Sequence, residues 1–171
     1  LYTNPVYTIG VDVLATEDNI KGWMPLLENA DIPQPSKDEL KKMILKMQEH
    51  TGQYVSIVND DTTSFEKTEP YPQYIVILTD RHCASTTEQF LLEAVQSKKV
   101  TLMGEHTAGV LDYSNMRDIP FTCSSLKLFY ATTRSRRISA GKGIDNASIQ
   151  PNIRLAAGKD WILEARKFLE K

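Results

Sequence analysis

Ser85 stands within Asp80-Arg81-His82-Cys83-Ala84-Ser85-Thr86-Thr87-Glu88, where an apolar, β-branched run gives way to a helical pattern. A hydroxyl at such a corner is exposed, and the backbone N–H of the next residue, Thr86, opens the helix at its positive end. A nucleophile and one half of an oxyanion hole would then share the same space. The flanks are not Gly-x-Ser-x-Gly, so the α/β-hydrolase elbow is not indicated. The same residues also have a purely structural reading. Ser85-x-x-Glu88 is a capping box, whose hydroxyl and carboxylate satisfy free N–H groups of the first turn. One serine can do both.

Few other residues have the type and spacing for chemistry. His82 sits three residues before Ser85 and reads as lining or capping the corner. His50 falls at the end of a helical pattern, where a cation is favourable in any case. His106 lies in the turn Gly104-Glu105-His106-Thr107-Ala108-Gly109. Cys83 and Cys123 make neither a disulfide framework nor, with the histidines and carboxylates, a ligand set at metal spacing, so no metal or other cofactor is expected. Cys83 reads as a small apolar side chain. Asn146-Ala147-Ser148 fits a glycosylation sequon, which has meaning only in a secreted eukaryotic setting.

The elements that must position the corner follow from periodicity. Tyr74-Ile75-Val76-Ile77-Leu78-Thr79 is apolar on both faces and predicts a strand buried in a mostly parallel sheet. After Ser85 comes a helix with Phe90, Leu91, Ala94 and Val95 on one side and Glu88, Gln89, Glu93 and Gln96 elsewhere, closing at Lys98-Lys99. Val100 to Met103 is the next strand. Strand, helix and strand with short links form a βαβ unit.

Upstream, Val6 to Ala15 reads as one strand with a bulge at Gly10, and Thr16 caps a helix running to about Asn29. After a break at Ile32-Pro33-Gln34-Pro35, a second capping box (Ser36 to Glu39) opens a helix to about His50, with Leu40, Met43, Ile44 and Met47 as core filler. Tyr54 to Val58 is a short strand, and the polar stretch Asn59 to Gln73 a surface loop. Downstream, Arg117 to Cys123 and Leu126 to Thr133 form a strand pair around Ser124-Ser125. Gly141 to Pro151 is a loop, Ile153 to Leu155 is extended, and Asp160 to Lys171 is a closing amphipathic helix.

A chain of 171 residues, 41% hydrophobic and 25% charged, suits one domain with its own core. The net charge of −2, without a basic block, offers nothing to nucleic acid or a membrane surface. The longest apolar run, Tyr74 to Leu78, is too short to span a bilayer. Leu1-Tyr2-Thr3-Asn4-Pro5 has no initiator Met, signal pattern or cap, and reads as a chain entered midway.

Taken together, Ile75-Val76-Ile77-Leu78, Ala84-Ser85-Thr86-Thr87-Glu88, Val100 to Met103 and the Gly-x-x-Thr-x-Gly turn at 104–109 resemble the tail-specific, or C-terminal-processing, serine peptidases. The resemblance covers about Gln73 to Lys171, with Ser148-Ile149-Gln150-Pro151-Asn152 a looser match to the family's Gly-Ile-x-Pro-Asp. It implies an α/β fold with a ClpP/crotonase-like core: a mostly parallel sheet, flanking helices and a helical excursion near residues 16–50. It implies serine-type hydrolysis of peptide bonds through an acyl-enzyme on Ser85, with peptides or proteins as substrates.

Two departures bear on the base. The lysine of the family's Ser-Lys branch is replaced here by Val110. The tricorn-like branch instead uses a His from an earlier segment, assisted by a late-loop acid, for which Asp145 in Gly143-Ile144-Asp145-Asn146 is the candidate. Asp145 equally suits a simple turn. Asp112, Tyr113, Ser114 and Asn115 fit either a substrate groove or a solvated loop. The resemblance therefore implies that residues 1–171 form one domain, the C-terminal part of a larger catalytic domain. The missing N-terminal half would carry the base, and the isolated chain would be inactive. His106 is the internal alternative for the base. The alternative function is a catalytically dead relative that binds a peptide or an apolar ligand. The resemblance points to an exported bacterial protein, whereas the residues themselves leave the compartment open.

Overall fold

The computed structural model describes residues 1–170. In chain order, β1 (Val6–Thr8), β2 (Val11–Leu14) and α1 (Glu17–Trp23) lead through a 3-10 turn (Met24–Leu27) to α2 (Gln34–Glu49). Then follow β3 (Tyr54–Val58), β4 (Asp61–Thr63), β5 (Ile75–Thr79), α3 (Thr86–Ala94) and β6 (Val100–Gly104). The chain continues with β7 (Tyr113–Pro120), β8 (Lys127–Ser135), β9 (Ile153–Arg154) and α4 (Trp161–Leu169). Backbone contacts divide these elements into two compact units.

The first unit comprises Leu1–Ile9, Asp60–Asp112 and the chain from Arg137 onward. Its sheet is three-stranded and parallel throughout, in the order β5-β6-β9. The register runs from Ile75↔Val100 to Thr79↔Gly104, and β9 joins at Met103↔Ile153. Parallel neighbours need a crossover, which α3 supplies between β5 and β6. In contrast to the fully buried strand expected from its composition, β5 leaves Ile75 to Leu78 half-buried and buries only Thr79. Among the described residues it is an edge strand of this sheet, paired with β6 alone.

The helix also differs from its hydrophobic pattern. Phe90 and Val95 are 44% and 40% exposed, and the buried stripe of α3 is Glu88, Leu91 and Ala94. A three-residue spacing brings these onto one face, so a carboxylate enters the interior in line with two apolar side chains. A small antiparallel pair, β1 with β4, completes the unit. The stretch 59–73, expected to be loop throughout, thus contains a short strand whose polar residues are all exposed. Such a strand is recognisable only by its pairing.

The second unit comprises Gly10–Asn59 and Tyr113–Arg136, with an antiparallel sheet in the order β3-β2-β8-β7. Val13, Ala15, Ile20, Leu40, Ile44, Met47 and Val55 form its core, joined at the margin by Trp23 and Met43. Full burial of each larger side chain contributes about 2 kcal/mol. The single strand expected over Val6 to Ala15 is two strands in two sheets. The first helix begins as expected, with the Asn19 N–H on Thr16 Oγ1 at 3.2 Å. The second begins earlier than its capping box suggests: Pro33 is the cap, and Ser36 lies inside the first turn. Pro35 is tolerated there because first-turn N–H groups have no helical partner. The hairpin β7–β8 extends to Tyr113 and Ser135, and its connection is closed by the Phe121 N–H on the Leu126 carbonyl at 3.1 Å. No helix among the described residues is long and apolar enough to cross a membrane.

Candidate active site

β5 ends at Thr79, and the chain turns sharply through Asp80 to Ala84 before α3. The Asp80 carboxylate accepts the His82 N–H at 2.9 Å, and the Cys83 N–H reaches the Asp80 carbonyl at 3.0 Å. The His82 N–H, with a smaller contribution from the Cys83 thiol, holds the Asp80 carboxyl below its ordinary value. At the end of this turn Ser85 adopts φ +55° and ψ −120°. Positive φ in a residue with a Cβ carries strain of about 1–3 kcal/mol, and such strain is retained where the surroundings over-determine the backbone.

The over-determining group is Glu88. It is fully buried, and four donors converge on its carboxylate. Thr107 Oγ1 donates to Oε1 at 2.5 Å and the Gly109 N–H at 2.7 Å. The Val110 and Ser85 N–H groups donate to Oε2 at 3.0 and 3.1 Å. The capping-box carboxylate is therefore also the clasp that binds the Gly-x-x-Thr-x-Gly turn to the serine corner. The Ala108 N–H on the Cys83 carbonyl, at 2.9 Å, adds a second tie. Thr107 extends the clasp to the late loop, because its Oγ1 accepts the Ile149 N–H at 2.9 Å.

The turn's glycines are required by geometry. Gly104 has φ +126°, and a Cβ there would lie 2.2 Å from the Thr79 carbonyl oxygen. Gly109 has φ +72°, and a Cβ there would lie 3.0 Å from the Ile144 carbonyl oxygen.

Ser85, Thr86 and Thr87 are exposed. The Ser85 N–H is taken by Glu88 and the Thr87 N–H by the Ala84 carbonyl at 3.1 Å. The Thr86 N–H has no acceptor among the described residues and stands at the helix N-terminus, beside the serine. This is the arrangement expected of half an oxyanion hole.

The other sequence-selected residues occupy different positions. His106 donates from Nδ1 to the Thr107 carbonyl at 2.8 Å when its ring is neutral, which leaves Nε2 as the acceptor. It lines a cleft with Arg81, Glu105 and Arg154, and Ser85 is not among the lining residues. Asp145 accepts the Leu111 and Asp112 N–H groups, both at 2.7 Å. Asp112 answers by accepting the Ile144 N–H and, at 2.9 Å, the Asp145 N–H. Asp112 is buried and pairs with buried Arg137 at 3.2 Å, and Arg137 in turn donates to Gln89 of α3 at 3.0 Å. Among the described residues, no group of three or more His, Cys, Asp and Glu side chains is placed to hold a metal ion.

The sequence matches the family model of Peptidase family S41 over residues 31–155. The chain belongs to this family. Solved structures agree in fold. Mature CPAF complexed with lactacystin superposes with a TM-score of 0.58 at 17% identity, over 99% of this chain and 38% of that one. A second structure of mature CPAF gives a TM-score of 0.54 at 17% identity, over all of this chain and 38% of its own. A candidate peptidase from Parabacteroides merdae gives a TM-score of 0.51 at 20% identity, over 67% of this chain and 37% of that one. The S41 chain thus spans little more than a third of the length of these structures. None of the curated proteins matches it in sequence.

Within this S41 domain, sequence reasoning missed the partnership of Glu88 with Thr107 and of Asp112 with Arg137. Ser-x-x-Glu and Gly-x-x-Thr-x-Gly were each visible as local patterns. Nothing in their spacing states that one supplies the acceptor for the other's donors.

Proposed function

We propose that this chain carries the nucleophile half of a serine peptidase site, in a ClpP/crotonase-like core of the tail-specific, tricorn-like branch. Ser85 gives its proton to the base and attacks the substrate carbonyl, the Thr86 N–H supports the oxyanion, and the C–N bond breaks as the base protonates the departing amine, leaving an acyl-enzyme. Water then releases the acyl group. The single observation carrying this reading is the backbone of Ser85, held at positive φ and exposed at the start of α3 by a buried carboxylate. A cap alone needs no such conformation, since N-cap residues ordinarily sit in the β region.

The base is supplied either by a segment outside residues 1–171 or by His106. Asp145 is the late-loop acid that orients it. The substrates are peptides or proteins, bound in extended form along a sheet edge. The cleft that His106 lines with two arginines favours the outside base.

Labelling of the full-length protein with a fluorophosphonate tests the reading. The probe is expected on Ser85, and Ser85→Ala is expected to abolish both labelling and peptide hydrolysis. His106→Gln separates the two sources of the base: retained labelling assigns it to another segment, and lost labelling assigns it to His106. A protein that takes no label, and whose peptide turnover is unaffected by Ser85→Ala, overturns the proposal in favour of a binding role.

A further inference from the structure

Two guanidinium groups with no partner among the described residues line one cleft at the carboxyl ends of the parallel strands. Arg81 lies in the turn after β5, Glu105 and His106 directly follow β6, and Arg154 closes β9. With Leu155, Ala156 and Ala157 they enclose about 530 Å³. This end of a parallel sheet is where open α/β folds bind ligands.

The two arginines stand apart from the rest of the chain. Arg117 donates to the Asp18 carbonyl, Arg134 stacks on Tyr54, and Arg136, Arg137 and Arg166 pair with Asp12, Asp112 and Glu170. Arg81 and Arg154 have neither an ion pair nor a side-chain hydrogen bond to any described residue. Glu105 is the one carboxylate lining the cleft, so the cations exceed it. An adjoining cleft of about 460 Å³ shares Arg81 and Glu105 and adds Asp80, His82, Lys159 and Asp160. Its two further carboxylates are already engaged, Asp80 by the His82 N–H and Asp160 by the Leu163 N–H.

A guanidinium fork matches a carboxylate in two parallel hydrogen bonds. Arg81 precedes Ser85 by four residues, a reach of at most about 14 Å. An extended peptide advances about 3.3 Å per residue, so a side chain within roughly four positions of the attacked bond has the reach to meet Arg81. We propose that Arg81 and Arg154 form a carboxylate subsite, which selects peptides bearing an acidic group near the bond cleaved. This rests on the peptidase reading of Ser85.

The test uses the full-length protein and fluorogenic peptides that differ only by Glu or Gln at successive positions, each made with a free and an amidated C-terminus. Glu is expected to raise kcat/KM by roughly tenfold or more at one position, the scale of one charge-assisted hydrogen bond. A gain from the free C-terminus alone, with none from Glu, overturns the proposal. Arg81→Gln and Arg154→Gln are expected to bring the ratio toward one, and Arg154→Glu to favour Lys over Glu. The reversed preference shows that the variant is folded. A ratio of one in the unaltered protein, or a ratio unmoved in both Gln variants, overturns the proposal.

If no peptide is cleaved, the peptidase reading has failed and binding decides the subsite alone. Tighter binding of the Glu peptide than the Gln peptide by fluorescence anisotropy, lost in Arg154→Gln, supports it. Equal binding overturns it.

Discussion

Ser85 and Val110 donate their backbone N–H groups to the same oxygen of Glu88, at 3.1 and 3.0 Å. Their amide nitrogens are therefore no farther apart than about 6 Å, the two hydrogen bonds laid end to end. Residue 110 is 53% exposed and is a neighbour of the serine through this shared acceptor.

A lysine introduced at this position would have a flexible stem long enough to reach the serine. Val110→Lys in the full-length protein is expected to accelerate fluorophosphonate labelling of Ser85 by at least roughly a hundredfold at alkaline pH, the lower end of what a positioned base supplies. Labelling rates measured against pH decide the matter. A rate unchanged across the range would show that residue 110 does not face Ser85.

Glu88 holds the corner and the glycine turn together, so Glu88→Gln places an amide donor among four donors. Stability is expected to fall by about 2–4 kcal/mol, since buried groups left unsatisfied cost about 1–3 kcal/mol each. Denaturant unfolding measures the loss. Labelling of Ser85 should fall in the remaining folded protein, because the serine backbone loses its tether.

The strain at Ser85 makes a prediction of opposite sign. Ser85→Gly accepts φ +55° without a Cβ and is expected to stabilise the protein by about 1 kcal/mol, whereas Ser85→Ala is not. Thermal unfolding of the two variants side by side provides the check. Equal stability would mean that the corner is unstrained.

Asp112 and Arg137 form a buried pair, 3.2 Å apart, that joins the late loop to α3 through Gln89. Arg137→Met removes the cation and leaves the carboxylate buried, at an expected cost of about 3 kcal/mol. The effect on kcat/KM should exceed that on labelling if the late loop positions the base through Asp145.

Asp80 gives a pH signature. Its carboxyl is lowered from 3.8, first by the His82 N–H. A depressed carboxyl stabilises the fold above its unfolded value and loses that contribution as pH falls through the folded one. The stability difference between the unaltered protein and Asp80→Asn should therefore be constant from pH 7 to about 5 and shrink below that. Urea unfolding at each pH checks it. A difference already shrinking at pH 6 would contradict the turn geometry.

The corner and its βαβ frame were legible because their signals are local. The β-branched run over Ile75 to Leu78, the Ser-x-x-Glu pattern and the glycines of the 104–109 turn each act on neighbours within a few residues. The short strand at Asp61–Thr63 was not legible, since its exposed polar residues show no period and its existence rests on pairing with β1. The placement of Phe90 outside and Glu88 inside was likewise missed. Hydrophobic periodicity assumes that apolar residues face inward, whereas here four backbone and hydroxyl donors outweigh the burial of a carboxylate.

By itself, the sequence determined where the chain turns, caps and extends, and that a serine stands at the opening of a helix. Only the tertiary structure decided what Glu88 binds, that Ser85 is held at positive φ, and that Arg81 and Arg154 meet in one cleft. The ties from Glu88 to the glycine turn and the meeting of the two arginines join residues about 20 to 70 positions apart, and arise only once β5, β6 and β9 lie side by side.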